Sequence, residues 1–168
     1  MNFAINNQNE IYFNAGPNLP GMYFTLLNAV LLSYRGRPDD KSWGLSIFTR
    51  EFEEFLDSFD NRYVVAIPGY ETKIPKENEC SGVTYHPDSL VEQWITRVIE
   101  TITTYIITVN HVPEDVSIVG LWVDKGIAYV DYCQTFATED EAMVVAREWK
   151  QLAIFDRYEQ VAIDVPAS

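Results

Sequence analysis

The chain has 168 residues, 47% hydrophobic and 14% aromatic, enough for one domain whose core, at this length, buries about two thirds of the surface its unfolded form exposes. A formal charge of -13 argues against direct binding to nucleic-acid phosphates or anionic membranes and favours a protein partner with a basic surface. No apolar run approaches the roughly 18 residues of a membrane helix, and no basic segment leads into an apolar one as in a secretory signal. Cys80 and Cys133 make no disulfide framework and stand in no zinc spacing, so a cytoplasmic protein without metal or cofactor is expected.

Residues 1–9 are polar and aperiodic, which fits a loose arm or a short edge strand. Ile11 to Phe13 reads as a strand, and the two glycines and two prolines of Gly16 to Gly21 predict a tight turn. Met22 to Leu26 and Ala29 to Tyr34 flank Leu27 and Asn28 as a weak hairpin. Arg35 to Ser42 is a charged loop in which Asp39 and Asp40 neutralise Arg35 and Arg37.

Trp43 to Phe48 reads as a strand. Thr49 then caps an expected helix with Phe52, Phe55, Leu56 and Phe59 inward and Glu51, Glu53, Glu54, Asp57 and Asp60 outward. Tyr63 to Ile67 is another strand, stopped by Pro68 and Gly69. Tyr70 to Pro87 shows no clear regular structure and carries Cys80, Tyr85 and His86, in a loop long enough to hold a site.

From Ser89 to about Tyr105 or Val109, Val91, Trp94, Ile95, Val98, Ile99 and Ile102 recur at helical spacing, with Asp88 or Ser89 as cap. The branched run TITTYIITV favours an earlier end to that helix. His111 falls in the following turn, where a helix dipole favours it without any catalytic role.

Val116 to Val123 reads as a central strand, with Ile118 and Trp122 on one face and Val119, Leu121 and Val123 on the other. Gly126 turns the chain into Ile127 to Phe136, which puts Tyr129, Asp131 and Cys133 on a shared face. Asp131 is the odd member of this hairpin. A carboxylate there must find a donor or face a ligand groove, because burying it alone is expensive.

Thr138 caps a helix in the form T-E-D-E, with Glu139, Asp140 and Glu141 where the dipole favours negative charge and Ala142, Val145, Ala146 and Trp149 inward. Leu152 to Phe155 and Val161 to Val165 close the chain as two strands. The order strand, threonine, acidic helix, strand occurs twice, around Phe48 to Ile67 and Phe136 to Ile154, as a duplication or a shared packing solution would give. The expected fold is α+β, one domain with an antiparallel or mixed sheet built from hairpins and about three helices packed on it.

No nucleophile elbow, HExxH pair, calcium loop, dinucleotide glycines or deaminase zinc spacing is present. Acidity is the property above background. Arg35 to Asp60 holds seven acidic and four basic residues, and Val116 to Ser168 nine and four. The sequence therefore points to an acidic, non-catalytic interaction module, such as an inhibitor occupying a basic nucleic-acid-binding surface of its partner. Its contact residues would be Glu51, Glu53, Glu54, Asp57, Asp60, Glu139, Asp140 and Glu141. The alternative is a small enzyme or ligand-binding domain with a site near the 70–87 loop, using His86, Tyr129 and Asp131. A structural or assembly subunit, including a homo-oligomer, is the third reading, from the aromatic content.

Overall fold

Residues alternate between buried and accessible along the long strands, so one side of the sheet is packed by helices while the other stays partly open. The computed structural model describes residues 3–5, 10–13, 19–35, 42–51, 61–76 and 87–167. Its strands are β1 (Phe3–Ile5), β2 (Glu10–Phe13), β3 (Trp43–Glu51), β4 (Tyr63–Ala66), β5 (Thr72–Pro75), β6 (Ile118–Asp124), β7 (Ile127–Phe136), β8 (Ala153–Asp156) and β9 (Val161–Asp164). The helices are α1 (Leu19–Arg35), α2 (Pro87–Thr108) and α3 (Glu139–Glu148).

The strands form one mixed sheet in the order β1-β2-β3-β6-β7-β4-β8-β9, with β5 also paired to β7, and only β2 and β3 run parallel. The expected α+β architecture is therefore the observed one, and the sheet is curled into a half-barrel. The first of the expected terminal alternatives, a loose arm, gives way at Phe3–Ile5 to an edge strand.

On the helical face, Leu45 and Ile47 of β3, Val119 and Leu121 of β6 and Val130 of β7 meet α1 and α2 in the main core. Tyr63, Val65 and Ile154 extend that face under Ala142 and Ala146 of α3, both of which are fully buried. Small residues there let the helix lie close to the sheet. Thr138 caps α3 as expected, its hydroxyl accepting from the Glu141 N–H at 3.2 Å. Among the described residues no helix is long and apolar enough to cross a membrane.

Four sequence expectations are corrected. The hairpin anticipated within residues 22–34 is part of α1, in which Leu26, Ala29 and Val30 are buried. Phe24 and Leu32 on the exposed side of that helix disguise its period in the sequence. Thr49 caps no helix: β3 continues to Glu51, and the Thr49 hydroxyl donates to the carbonyls of Val116 and Ser117 at 3.0 and 3.2 Å, joining β3 to the entry of β6. Glu51 is thus a strand residue rather than part of a helix's acidic first turn, which also breaks the proposed repeat at its threonine. The region after Tyr70 is not wholly irregular, because β5 pairs with β7.

Of the two ends expected for α2, the later one holds, because the helix runs to Thr108. Ile95, Ile99, Ile102 and Ile106 are buried, while the hydroxyls of Thr96, Thr101, Thr104 and Thr108 each donate to the carbonyl four residues back at 2.7–3.0 Å. Tertiary burial of the isoleucine stripe thereby outweighs the low helix propensity of the branched run.

The open face is closed at one end by charge. Glu10 of β2 lies beside Ser46 of β3, and its carboxylate accepts from Arg157 Nε at 2.5 Å. Arg157 belongs to the turn between β8 and β9, near the opposite end of the strand order, so this pair spans the curl of the sheet. Both residues are at most 3% exposed. Arg157 also donates to the Asn61 carbonyl at 2.5 Å and stacks its guanidinium 4.5 Å from the Phe48 ring centre. The same turn is held by Asp156, which accepts two hydrogen bonds from Arg62 and others from the N–H groups of Tyr158 and Glu159. The Arg62 partner holds the Asp156 carboxyl below the usual carboxylate range.

Replacing Glu10 by Ala removes the carboxylate partner of a buried guanidinium and is expected to destabilise the fold by about 3 kcal/mol or more. The double variant Glu10→Leu, Arg157→Met should recover most of that loss. Urea unfolding checks both, and a single variant as stable as the parent would contradict the role given to this pair.

Candidate functional site

Across β3, β6, β7 and β4, residues in register share a face, and the open face has an unusual row of small side chains. Gly44 stands beside Trp122, Ser46 beside Gly120, and Gly120 beside Asp131. The glycines create room that the neighbours fill. A Cβ on Gly120 would lie 2.7 Å from the Asp131 carboxylate, and one on Gly44 would lie 2.9 Å from the Trp122 indole. The carboxylate therefore rests over one glycine and the indole over the other.

The sheet's curl brings β8 and β9 round to face this row, enclosing a cleft of about 620 Å³ between them and β3. Ala66, Ala153, Phe155 and Ala162 form much of its apolar wall, with Ser46 and Gln160 as polar points. Below it, Phe48, Val64, Ile118 and Cys133 make a second buried cluster that floors the cleft, continuous with the Arg157 stack. Trp122 is 46% exposed at the opening.

Asp131 owes its access to a break in the next strand. Ala66 pairs with Cys133 and Thr72 with Val130, so five residues, Ile67 to Glu71, oppose only Asp131 and Tyr132. This bulge contains Pro68 and Gly69, the latter at φ 89, which suits glycine. Bulges of this kind re-aim side chains and interrupt pairing beside functional sites. Here no residue of β4 or β5 is in register with Asp131.

The Cys133 thiol donates to Asp131 Oδ1 at 3.1 Å. Burial pushes the Asp131 carboxyl up to about 6; the thiol's hydrogen bond pulls the other way, and the carboxylate of Glu71 adds a smaller upward push. Burial, and then the neighbouring Asp131, raise the Cys133 thiol as well, so it stays protonated and is a poor nucleophile. The arrangement offers a hydrogen-bond acceptor in an apolar cleft.

The sequence-selected residues are only partly brought together. Tyr129 shares the face of Asp131 and pairs with Trp122 near the opening, where Lys73 lies 5.7 Å from the Tyr129 ring centre. Tyr70 and Glu71, the start of the expected site loop, instead line a smaller recess on the helical side with Tyr105, Tyr132 and His111. There Tyr132 donates to the Tyr105 carbonyl at 2.6 Å, and Tyr105 donates to the Tyr70 carbonyl, so these hydroxyls secure the bulge to α2. His86 lies outside the described residues.

Glu139, Asp140 and Glu141 are exposed on the first turn of α3. Glu53, Glu54, Asp57 and Asp60 lie outside the described residues, as does the Glu51 side chain. Among the described residues no group of three or more His, Cys, Asp or Glu is placed to hold a metal ion. Trp122, Gly44, Gly120 and Ser46 are the site residues that sequence reading left unassigned. Their signal was Gly44 and Ser46 at alternate positions of β3, with Gly120 on the adjacent strand. In comparisons with known proteins, no family model, curated protein or solved structure matches the chain.

Because the folded state holds the Asp131 proton more tightly than the unfolded chain, this group's contribution to stability is greatest at low pH and is lost as pH rises from about 4 to about 6. At neutral pH the ionised group then costs the fold about 3 kcal/mol. Asp131→Asn, whose amide oxygen can still accept from Cys133, should raise stability at pH 7, with the gain disappearing below about pH 4. Thermal unfolding across that range tests this, and a variant less stable than the parent at pH 7 would contradict it.

Proposed function

We propose that the protein is a small-molecule-binding domain whose ligand enters the half-barrel cleft and presents a hydrogen-bond donor to Asp131. One observation carries this reading: a carboxyl group that burial pushes up to about 6 faces a largely apolar cleft of about 620 Å³. That volume falls in the range of small-ligand sites, which combine apolar walls with a few placed polar groups. A carboxyl perturbed by burial in a cleft is the kind of group that marks functional-site candidates.

The cleft supports this reading better than charge supports an acidic interaction module. Glu139, Asp140 and Glu141 already have a local reason for their positions at a helix N-terminus.

The uncharged fluorophore N-phenyl-1-naphthylamine should bind with a saturable rise in emission. Ala162→Trp, at an exposed position on the cleft wall, should weaken that binding about tenfold by filling the space. Leu32→Ser, on the exposed side of α1, should leave it unchanged. Absence of saturable binding, or equal binding by the Ala162 variant, would overturn the proposal.

A further inference from the structure

The cleft's lining also says what kind of ligand it suits. Among the described lining residues, Asp131 is the sole carboxylate, and no lysine, arginine or histidine accompanies it. An anionic ligand would meet a like charge with no cation to offset it, whereas a cation would meet its complement in a setting of low polarity. The second fixed feature is Trp122, whose indole lies against Gly44 at the opening.

Their spacing is set by strand register. Trp122 pairs with Tyr129 and Gly120 with Asp131, making Trp122 and Asp131 diagonal neighbours across β6 and β7. Such neighbours are roughly 7–8 Å apart at the backbone, and the indole leans away from β7, over Gly44 of β3. A flat ring stacked on the indole therefore needs a short alkyl arm to carry a charged nitrogen to the carboxylate. Resting on the cleft-binding reading above, we infer that the ligand class is an arylalkylamine, its ring against Trp122 and its ammonium group donating to Asp131.

The apolar wall opposite, from Ala153, Phe155 and Ala162, would cover the ring's other face and the arm. Ser46 and Gln160 are left to contact ring substituents. The other groups bearing on Asp131 are the Cys133 thiol, on its own strand, the Tyr105 hydroxyl of α2, and Glu71, on the bulge and 3.8 Å from the Lys73 ammonium. None of the three is a cation, and Lys73, which offsets part of the Glu71 charge, lies outside the cleft lining.

Calorimetry with tryptamine and with 3-ethylindole, which has the same ring and two-carbon arm but no amine, tests this. At pH 7.5 the parent protein should prefer tryptamine by about tenfold or more, as expected for a charge-assisted hydrogen bond. Asp131→Asn should remove the preference, and Trp122→Ala should weaken both compounds. Lowering the pH to 5 should weaken tryptamine about tenfold in the parent, following the ionised fraction of a carboxyl that titrates near 6. Equal affinities for the two compounds, with N-phenyl-1-naphthylamine still bound, would overturn the amine assignment and leave the cleft reading standing. A preference that survives in Asp131→Asn would also overturn it. Binding of neither indole nor the fluorophore would remove both readings.

Discussion

The curl of the sheet is the constraint from which the site follows, and the contact between Glu10 and Arg157 spans it. These residues come from strand β2 and from the turn beyond β8, and they meet only because the sheet bends round on its open side. Burying two charges is costly, and a well-made pair inside a protein often does no better than apolar residues of the same size. Its effect here is geometric. It fixes how far the β8–β9 hairpin leans over β3, and so the width of the cleft between them.

Within that frame the cleft exists because the open face is carved out by small side chains. Gly44, Ser46 and Gly120 lower the surface beside Trp122 and Asp131, while Phe48, Ile118 and Cys133 restore it one row below as a packed floor. The β4–β5 bulge then removes the strand partner that would otherwise stand beside Asp131. An apolar residue at position 131 would pack more favourably, which makes the carboxyl's presence informative. Local rules of stability are broken most often at functional or strained sites.

Much of the fold was legible in the sequence. The β6–β7 hairpin, the Thr138 cap and the buried stripe of α2 each carry a strong local signal, and each is present as read. What failed was local pattern overruled by distant contacts. Thr49 looks like a helix cap, yet its hydroxyl is used 67 and 68 residues away, at Val116 and Ser117. Phe24 and Leu32 make α1 apolar on more than one side, so its period is hidden. Asp131 was conspicuous as a lone carboxylate among apolar neighbours. The rest of the site was not, because the closeness of β3 to β8 and β9 depends on a curl that no single strand encodes.

Amide and indole NMR spectra of the labelled protein, titrated with small aryl fragments, measure the central claim most directly. If the open face is the binding site, shifts will concentrate at Gly44, Ser46, Gly120, Asp131 and the Trp122 indole. Shifts gathered instead around Tyr70, Tyr105 and Tyr132 on the helical face, or none anywhere, would contradict the account.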